Sequence, residues 1–141
     1  MPSTYTSKLR LTLMATGENQ NTWGDIANTQ DFQLIEDAIA GLVSVSANQG
    51  TITLTANSGS QDESRMSQIV VAGTLTSSLG IVAPSVSKWW LVRNNTVQAT
   101  VSTSYTVSLR LAGGQGIDIP SDSNVYLVGS DGVRTRGLVT R

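Results

Sequence analysis

Residues 17–41 read GENQNTWGDIANTQDFQLIEDAIAG, and the rest of the chain is organised around them. Here alone do apolar residues recur at helical spacing: Leu34, Ile35, Ala38, Ile39 and Leu42 fall on one side of a helix. Turn and cap residues mark its start. Thr22 and Asp25 stand three apart in the manner of a capping box, with Asp in the acidic place. Asn28 or Thr29 can cap the main run, Asp31 adds negative charge to its first turn, and Gly41 sits where a helix stops. A solitary helix of about three turns cannot bury its stripe alone, so it is expected to dock on a sheet or on copies of itself. Ile39 then lies in a buried stripe, and Trp23, beside Gly24, acts as a plug where the helix begins.

On either side of this helix the pattern changes to alternation with period two. Lys8 to Leu13 reads as a half-buried strand, with Leu9, Leu11 and Leu13 on one face. After Gly41, Val43 and Val45 suggest a short strand, and Thr51 to Thr55 alternates again. The segment 61–66 can form one helical turn with Asp62 and Arg65 three apart. Runs at Ile69 to Ala72 and Leu79 to Val82 follow, the second ended by Pro84, which cannot donate to a central ladder. Lys88 to Arg93 (KWWLVR) is the most β-prone segment and is closed by Asn94-Asn95. Strands are expected at Val97 to Val101, Thr106 to Leu111, Ile117 to Ile119 and Val125 to Val128. Gly113-Gly114-Gln115-Gly116 forms a turn between two of them. Short strands at this spacing indicate a mainly β domain, an antiparallel sandwich or barrel with one N-terminal α-helix.

One domain is expected over 1–141: strand and helix at 5–41, a β-rich body at 42–129, and an arm or frayed tail at 130–141. With 39% apolar residues the chain can build a core. The unusual figure is 13% charged residues, against about 25% in typical soluble domains. A surface this poor in charge is weakly protected against association, and fits either a permanent assembly or a neutral Ser/Thr-rich domain. The net charge of −1 argues against a general nucleic-acid grip. No apolar run approaches the length of a membrane span, and residues 1–11 lack the apolar core of a signal peptide. A soluble, cytosolically made protein is expected.

Catalytic chemistry finds little to work with. There is no cysteine and no histidine, which removes thiol chemistry, the usual neutral-pH base and the familiar zinc ligands. Glu36 and Asp37 are helix neighbours on the polar side, a solvated face. Asp62-Glu63 and Asp118 with Asp122 sit in turns without the dense oxygen spacing of a calcium loop. No catalytic residue, cofactor or metal is assigned, and an enzyme is not expected. Trp89 and Trp90 face opposite sides of a strand, so one can enter the core while the other anchors a subunit contact. A glycan-binding platform is a further option. Arg134, Arg136 and Arg141 can clamp an acidic partner or simply be solvated.

Tyr5-Thr6-Ser7-Lys8-Leu9-Arg10-Leu11, Glu18-Asn19, Thr22-Trp23-Gly24-Asp25, Leu34-Ile35-Glu36 and Ala38-Ile39-Ala40-Gly41 together resemble the opening of a family of tailed-phage virion proteins, commonly tail-fibre or minor structural proteins. Asp62-Glu63-Ser64-Arg65, Gly73-Thr74-Leu75-Thr76, Ile117-Asp118-Ile119-Pro120 and Ser130-Asp131-Gly132 fit the same pattern in order. The resemblance implies a virion component made in the host cytoplasm, a homotrimer whose subunits intertwine. The chain's short length favours a capsid decoration (cement) protein clamping major capsid subunits, with a tail-fibre base or tail adaptor as the alternative. The interface residues expected are Trp23, Leu34, Ile35, Ala38, Ile39, Trp89, Trp90, Arg134, Arg136 and Arg141, with no nucleic acid or membrane partner. From another class stands a host carbohydrate-binding domain.

Overall fold

The computed structural model describes residues 2–48, 50–122 and 124–139. The N-terminal segment is not the continuous strand its alternation predicts. β1 (Thr4–Tyr5) and β2 (Thr12–Leu13) pair antiparallel as a small ribbon, and the residues between them turn. Arg10, at φ 54°, bends the backbone away from extended geometry, which breaks the strand where the leucines alternate.

The helical stretch has three parts that follow without a break: α1 (Trp23–Ala27), a π-helical turn (Asn28–Phe32) and α2 (Gln33–Ala40). Thr22 occupies the N-cap, but its hydroxyl turns back to the Asn19 carbonyl at 3.3 Å instead of capping. Asn28 and Thr29, read as caps, lie inside the π turn, and the Thr29 hydroxyl bonds back to the Asp25 carbonyl at 2.7 Å. Gly41 ends the helix as expected, in an extended conformation. A Cβ there would strike Met66 Sδ and the Asp37 carbonyl, so glycine is required by space.

From Gly41 the chain winds between two sheets. β3 (Leu42–Ser46) lies in the first, β4 (Thr51–Thr53) in the second, β5 (Gln68–Leu75) returns beside β3, and β6 (Leu79–Ala83) beside β4. β7 (Ser87–Gln98) and β8 (Val107–Leu111) complete a third circuit, and each of these pairings is parallel. Among the described residues, antiparallel pairing apart from the ribbon comes with β9 (Ile117–Ile119) on β8, then β10 (Val125–Asp131) on β7 and β11 (Thr135–Val139) on β10. The strand orders are β11-β10-β7-β5-β3 and β4-β6-β8-β9, and neither sheet closes into a barrel. The wholly antiparallel arrangement expected from the sequence is therefore corrected. A strand whose successor crosses to the opposite sheet is next met by a strand running its own way, so the connections build parallel ladders instead of hairpins.

Inward side chains of both sheets share one core, a sandwich-like packing that includes Val45, Ile69, Val71, Leu79, Ile81, Trp90, Val92, Val107, Leu109 and Tyr126. Val107, Leu109 and Leu111 face inward together, as their alternation requires. β7 runs through Asn94-Asn95, which was expected to close it, and onward into the segment read as a separate strand. The buried Asn94 amide makes this possible: its Nδ2 donates to the Ile119 carbonyl at 2.7 Å and its Oδ1 accepts from the Thr96 N–H and hydroxyl. The segment read as an arm or tail enters the larger sheet as its edge strand through Val139.

Candidate assembly surface

The helix stripe is divided between inside and outside. Leu34 is fully buried, Ile35 and Ala38 are half-buried, and Ile39 is 74% exposed. Ile39 is thus not part of a buried stripe within the chain. The inward side is set by Leu34, Ala38 and Gly41, while Phe32, Ile35 and Ile39, at i, i+3 and i+7, line the other side. Phe32 (66% exposed) and Trp23 (64%) also stand in the open, so Trp23 is not the plug expected of it. The π turn is the physical reason: its wide turn shifts the phase of everything before Phe32 relative to α2.

Hydrogen bonds fasten this helix at its side, leaving its apolar outer face free. The Asp31 carboxylate accepts from the Thr12 N–H at 2.9 Å, and Gln30 Oε1 from the Thr12 hydroxyl at 3.0 Å. Asp37, read as solvated, is half-buried and accepts from Gln61 Nε2 at 2.9 Å, and its carbonyl accepts from the Gly41 and Ser67 N–H groups. Glu36 is exposed as expected.

A buried ionic cluster carries that mount. Asp62 Oδ2 accepts from Arg10 Nη2 and the Asn57 N–H, both at 2.9 Å, and Oδ1 from the Ser64 hydroxyl and the Arg65 N–H, both at 2.8 Å. The i,i+3 pair foreseen in the sequence is present, with Arg65 Nη1 at 3.2 Å from Asp62. Arg65 also donates to the Leu9 and Asn57 carbonyls and to that of Ser60, joining the N-terminal segment to the 57–65 loop. Burial alone would raise the Asp62 carboxyl, but hydrogen bonds from Arg10, Ser64 and Asn57 outweigh it and hold the group below its usual range. Nearby Lys88 sits over the Trp90 ring at 5.6 Å, and burial pushes its ammonium down to about 8.

The outer face of the larger sheet is the second half of the surface. Trp90 is fully buried, with its Nε1 donating to the Ser64 carbonyl at 3.0 Å, and Trp89 points outward, 64% exposed. The pair divides between core and surface as the strand geometry requires. The Trp89 ring lies over Gly129, where a Cβ would come within 2.7 Å of Cζ3. Leu42, Gln68, Leu91 and Leu127 form one register row across four strands, and Val70, Arg93 and Val125 lie in the row beside it. Leu42, Leu91 and Val125 are exposed. The sequence reading missed Phe32, Leu42 as a surface residue, Leu91, Arg93 and Leu127; the odd-numbered alternation of β7 was the available signal.

Arg136 is in register with Gly129, beside a cleft of about 230 Å³ lined also by Ser87, Trp89, Ser130 and Asp131. Arg134 is exposed in the preceding turn, and Arg141 lies outside the described residues. Among the described residues no group of three acidic, histidine or cysteine side chains is arranged to hold a metal, and no helix is long and apolar enough to cross a membrane. Asp122 accepts from Tyr126 and Asn124, which holds its carboxyl below the usual range. Comparison with known protein families, with characterised proteins and with solved structures found no match for this chain.

Proposed function

We propose that this chain is a non-enzymatic structural subunit that works as one of several equal copies, a homotrimer within a tailed-phage virion. The observation that carries the assembly reading is the amount of large apolar side chain the fold leaves uncovered: Phe32 and Ile39 on the helix, Leu42, Trp89 and Leu91 on the sheet. Parallel strands are ordinarily covered on both faces, and here the parallel trio β3-β5-β7 is covered on one. The virion role is drawn from the resemblance of the Trp23-Gly24-Asp25 and Glu36 to Gly41 segments to phage structural proteins. Capsid decoration, clamping neighbouring major capsid subunits, is the first form of this reading, and a tail-fibre base or tail adaptor the second. Copy counting by mass spectrometry of purified particles tests it. Hundreds of copies per particle support decoration and a few dozen or fewer support the tail. Absence from particles refutes both.

A carbohydrate-binding role is favoured by one specific feature, the open indole face of Trp89 beside Asp131 and Arg136. A glycan array with the purified protein tests it, and Trp89→Ala must abolish any signal. Silence across the array removes this reading.

A further inference from the structure

The two uncovered faces differ in charge. Between Arg10 and Arg65 the sequence contains no Lys or Arg, so the helical stretch carries no cation; Asp31 and Asp37 are bonded on its mounted side, and Asp25 and Glu36 are its exposed acids. The outer face of the larger sheet carries Arg93 and Arg136. Its acid among the described residues is Asp131, at one end, where Oδ1 already accepts from the Val133 and Arg134 N–H groups. One face is apolar and acidic, the other apolar and basic. Each is a poor match for itself and a good match for the other.

We propose that the outer face of the helix in one copy, built on Phe32, Ile35 and Ile39, docks on the outer face of the five-stranded sheet in the next copy, over Leu42, Leu91 and Leu127. This deepens the assembly reading above and rests on it. The contact is heterologous, head to tail, so every subunit uses both faces, and a three-fold rotation closes the ring. The areas agree with such a contact. The isolated chain exposes 8101 Å², whereas a compact monomer of this length exposes about 7,000 Å². Each subunit contributes two faces, so a ring of standard interfaces buries about 1,600 Å² per subunit, of which the surplus of roughly 1,000 Å² is the larger part. Covering the outer face of β3-β5-β7 also gives the parallel strands the second layer they lack.

Two variants and their mixture test the arrangement by sedimentation velocity and native mass spectrometry. Ile39→Lys blocks the helix face and Leu91→Lys the sheet face. Both positions are exposed, so each variant is expected to keep the wild-type circular dichroism. Each alone is expected to be monomeric, its dissociation constant raised about 30-fold or more, the size of a hot-spot loss. Mixed, the intact helix face of Leu91→Lys meets the intact sheet face of Ile39→Lys, giving a heterodimer that cannot grow. If either lysine variant unfolds, the serine substitutions at the same positions carry the test. A wild-type oligomer that Leu91→Lys leaves unchanged, or a mixture that stays monomeric, overturns the head-to-tail contact while the assembly reading stands. A wild-type chain that is monomeric at high micromolar concentration overturns both.

Discussion

Asp62→Ala probes whether the helix is held by the ionic cluster beneath it. The carboxylate takes four hydrogen bonds at 2.8 to 2.9 Å and faces two guanidiniums, Arg10 and Arg65. The Arg65 side chain is fully buried. Removing the carboxylate leaves that cation with carbonyl acceptors but without its bonded counter-charge, and leaves the Asn57 and Arg65 N–H groups without the carboxylate they donate to. Breaking one partner out of a buried pair costs about 3–5 kcal/mol. At roughly 3 °C per kcal/mol for a domain of this size, the melting midpoint should fall by about 10–15 °C. Urea titration and thermal melts at neutral pH measure both quantities. The pH dependence follows from the depressed carboxyl. Its contribution is fully present above the unfolded value near 4 and is lost as pH falls through the lower folded value. Asp62→Asn should therefore flatten the acid limb of the wild-type stability profile below about pH 4. An Asp62→Ala protein within about 1 kcal/mol of wild type would refute the reasoning, because the arginines would then be satisfied without it.

Lys88 shifts in the same direction, but its charged form is the one that burial disfavours, so it costs stability at neutral pH. Its folded value is near 8 and its unfolded value about 10.4, so the unfolded chain holds more protons between them and stability rises with pH across that window. Lys88→Met should be more stable than wild type at pH 7, with the gap narrowing by pH 10 in paired urea titrations. Gly129→Ala should push the Trp89 ring off its seat, changing tryptophan fluorescence and destabilising by about 1 kcal/mol as the stacking contact is lost. Trp90→Ala removes a fully buried ring and orphans the Ser64 carbonyl, so unfolding midpoints should reveal a loss of about 3–5 kcal/mol, far beyond that of Trp89→Ala.

How much of this the sequence disclosed depends on the range of the interaction concerned. Local pattern is a property of one strand: alternation located β4 and β8 with the inward set Val107, Leu109 and Leu111, and short apolar segments located β3, β5, β6 and β10. The Asp62–Arg65 pair was visible as a three-residue spacing. Strand direction is a property of two segments far apart in the chain, and nothing in Leu42 to Ser46 states that it will lie parallel to Gln68 to Leu75. Asn94-Asn95 looked like a stop because the acceptor that satisfies the Asn94 amide nitrogen is Ile119, twenty-five residues on. At Lys8 to Leu13 the leucines alternated correctly, yet the positive φ of Arg10 and the ties from Arg65 to the Leu9 carbonyl override the pattern. The helix was legible in extent and wrong in facing, because at about 100° per residue Ile39 stands roughly 140° round from the buried Leu34, at the far edge of a stripe too wide to be buried whole.

The surface residues on which the assembly proposal rests were concealed by the same logic. A period-two strand divides its apolar residues into those facing in and those facing out only when the two sets differ in polarity. β7 places Trp90 and Val92 inward but Trp89 and Leu91 outward, so both of its faces are apolar. Such a strand belongs in the middle of a covered sheet, and β7 is the central strand of five. The inner face is covered by β6 and β8, and among the described residues no element covers the outer one, because the helical stretch is hydrogen-bonded to the N-terminal ribbon and the 57–67 loop. That helix, in turn, has Ile39 in the open. On the head-to-tail proposal the helix without a sheet and the sheet face without a helix complete one another, and the third layer of the fold comes from the next molecule.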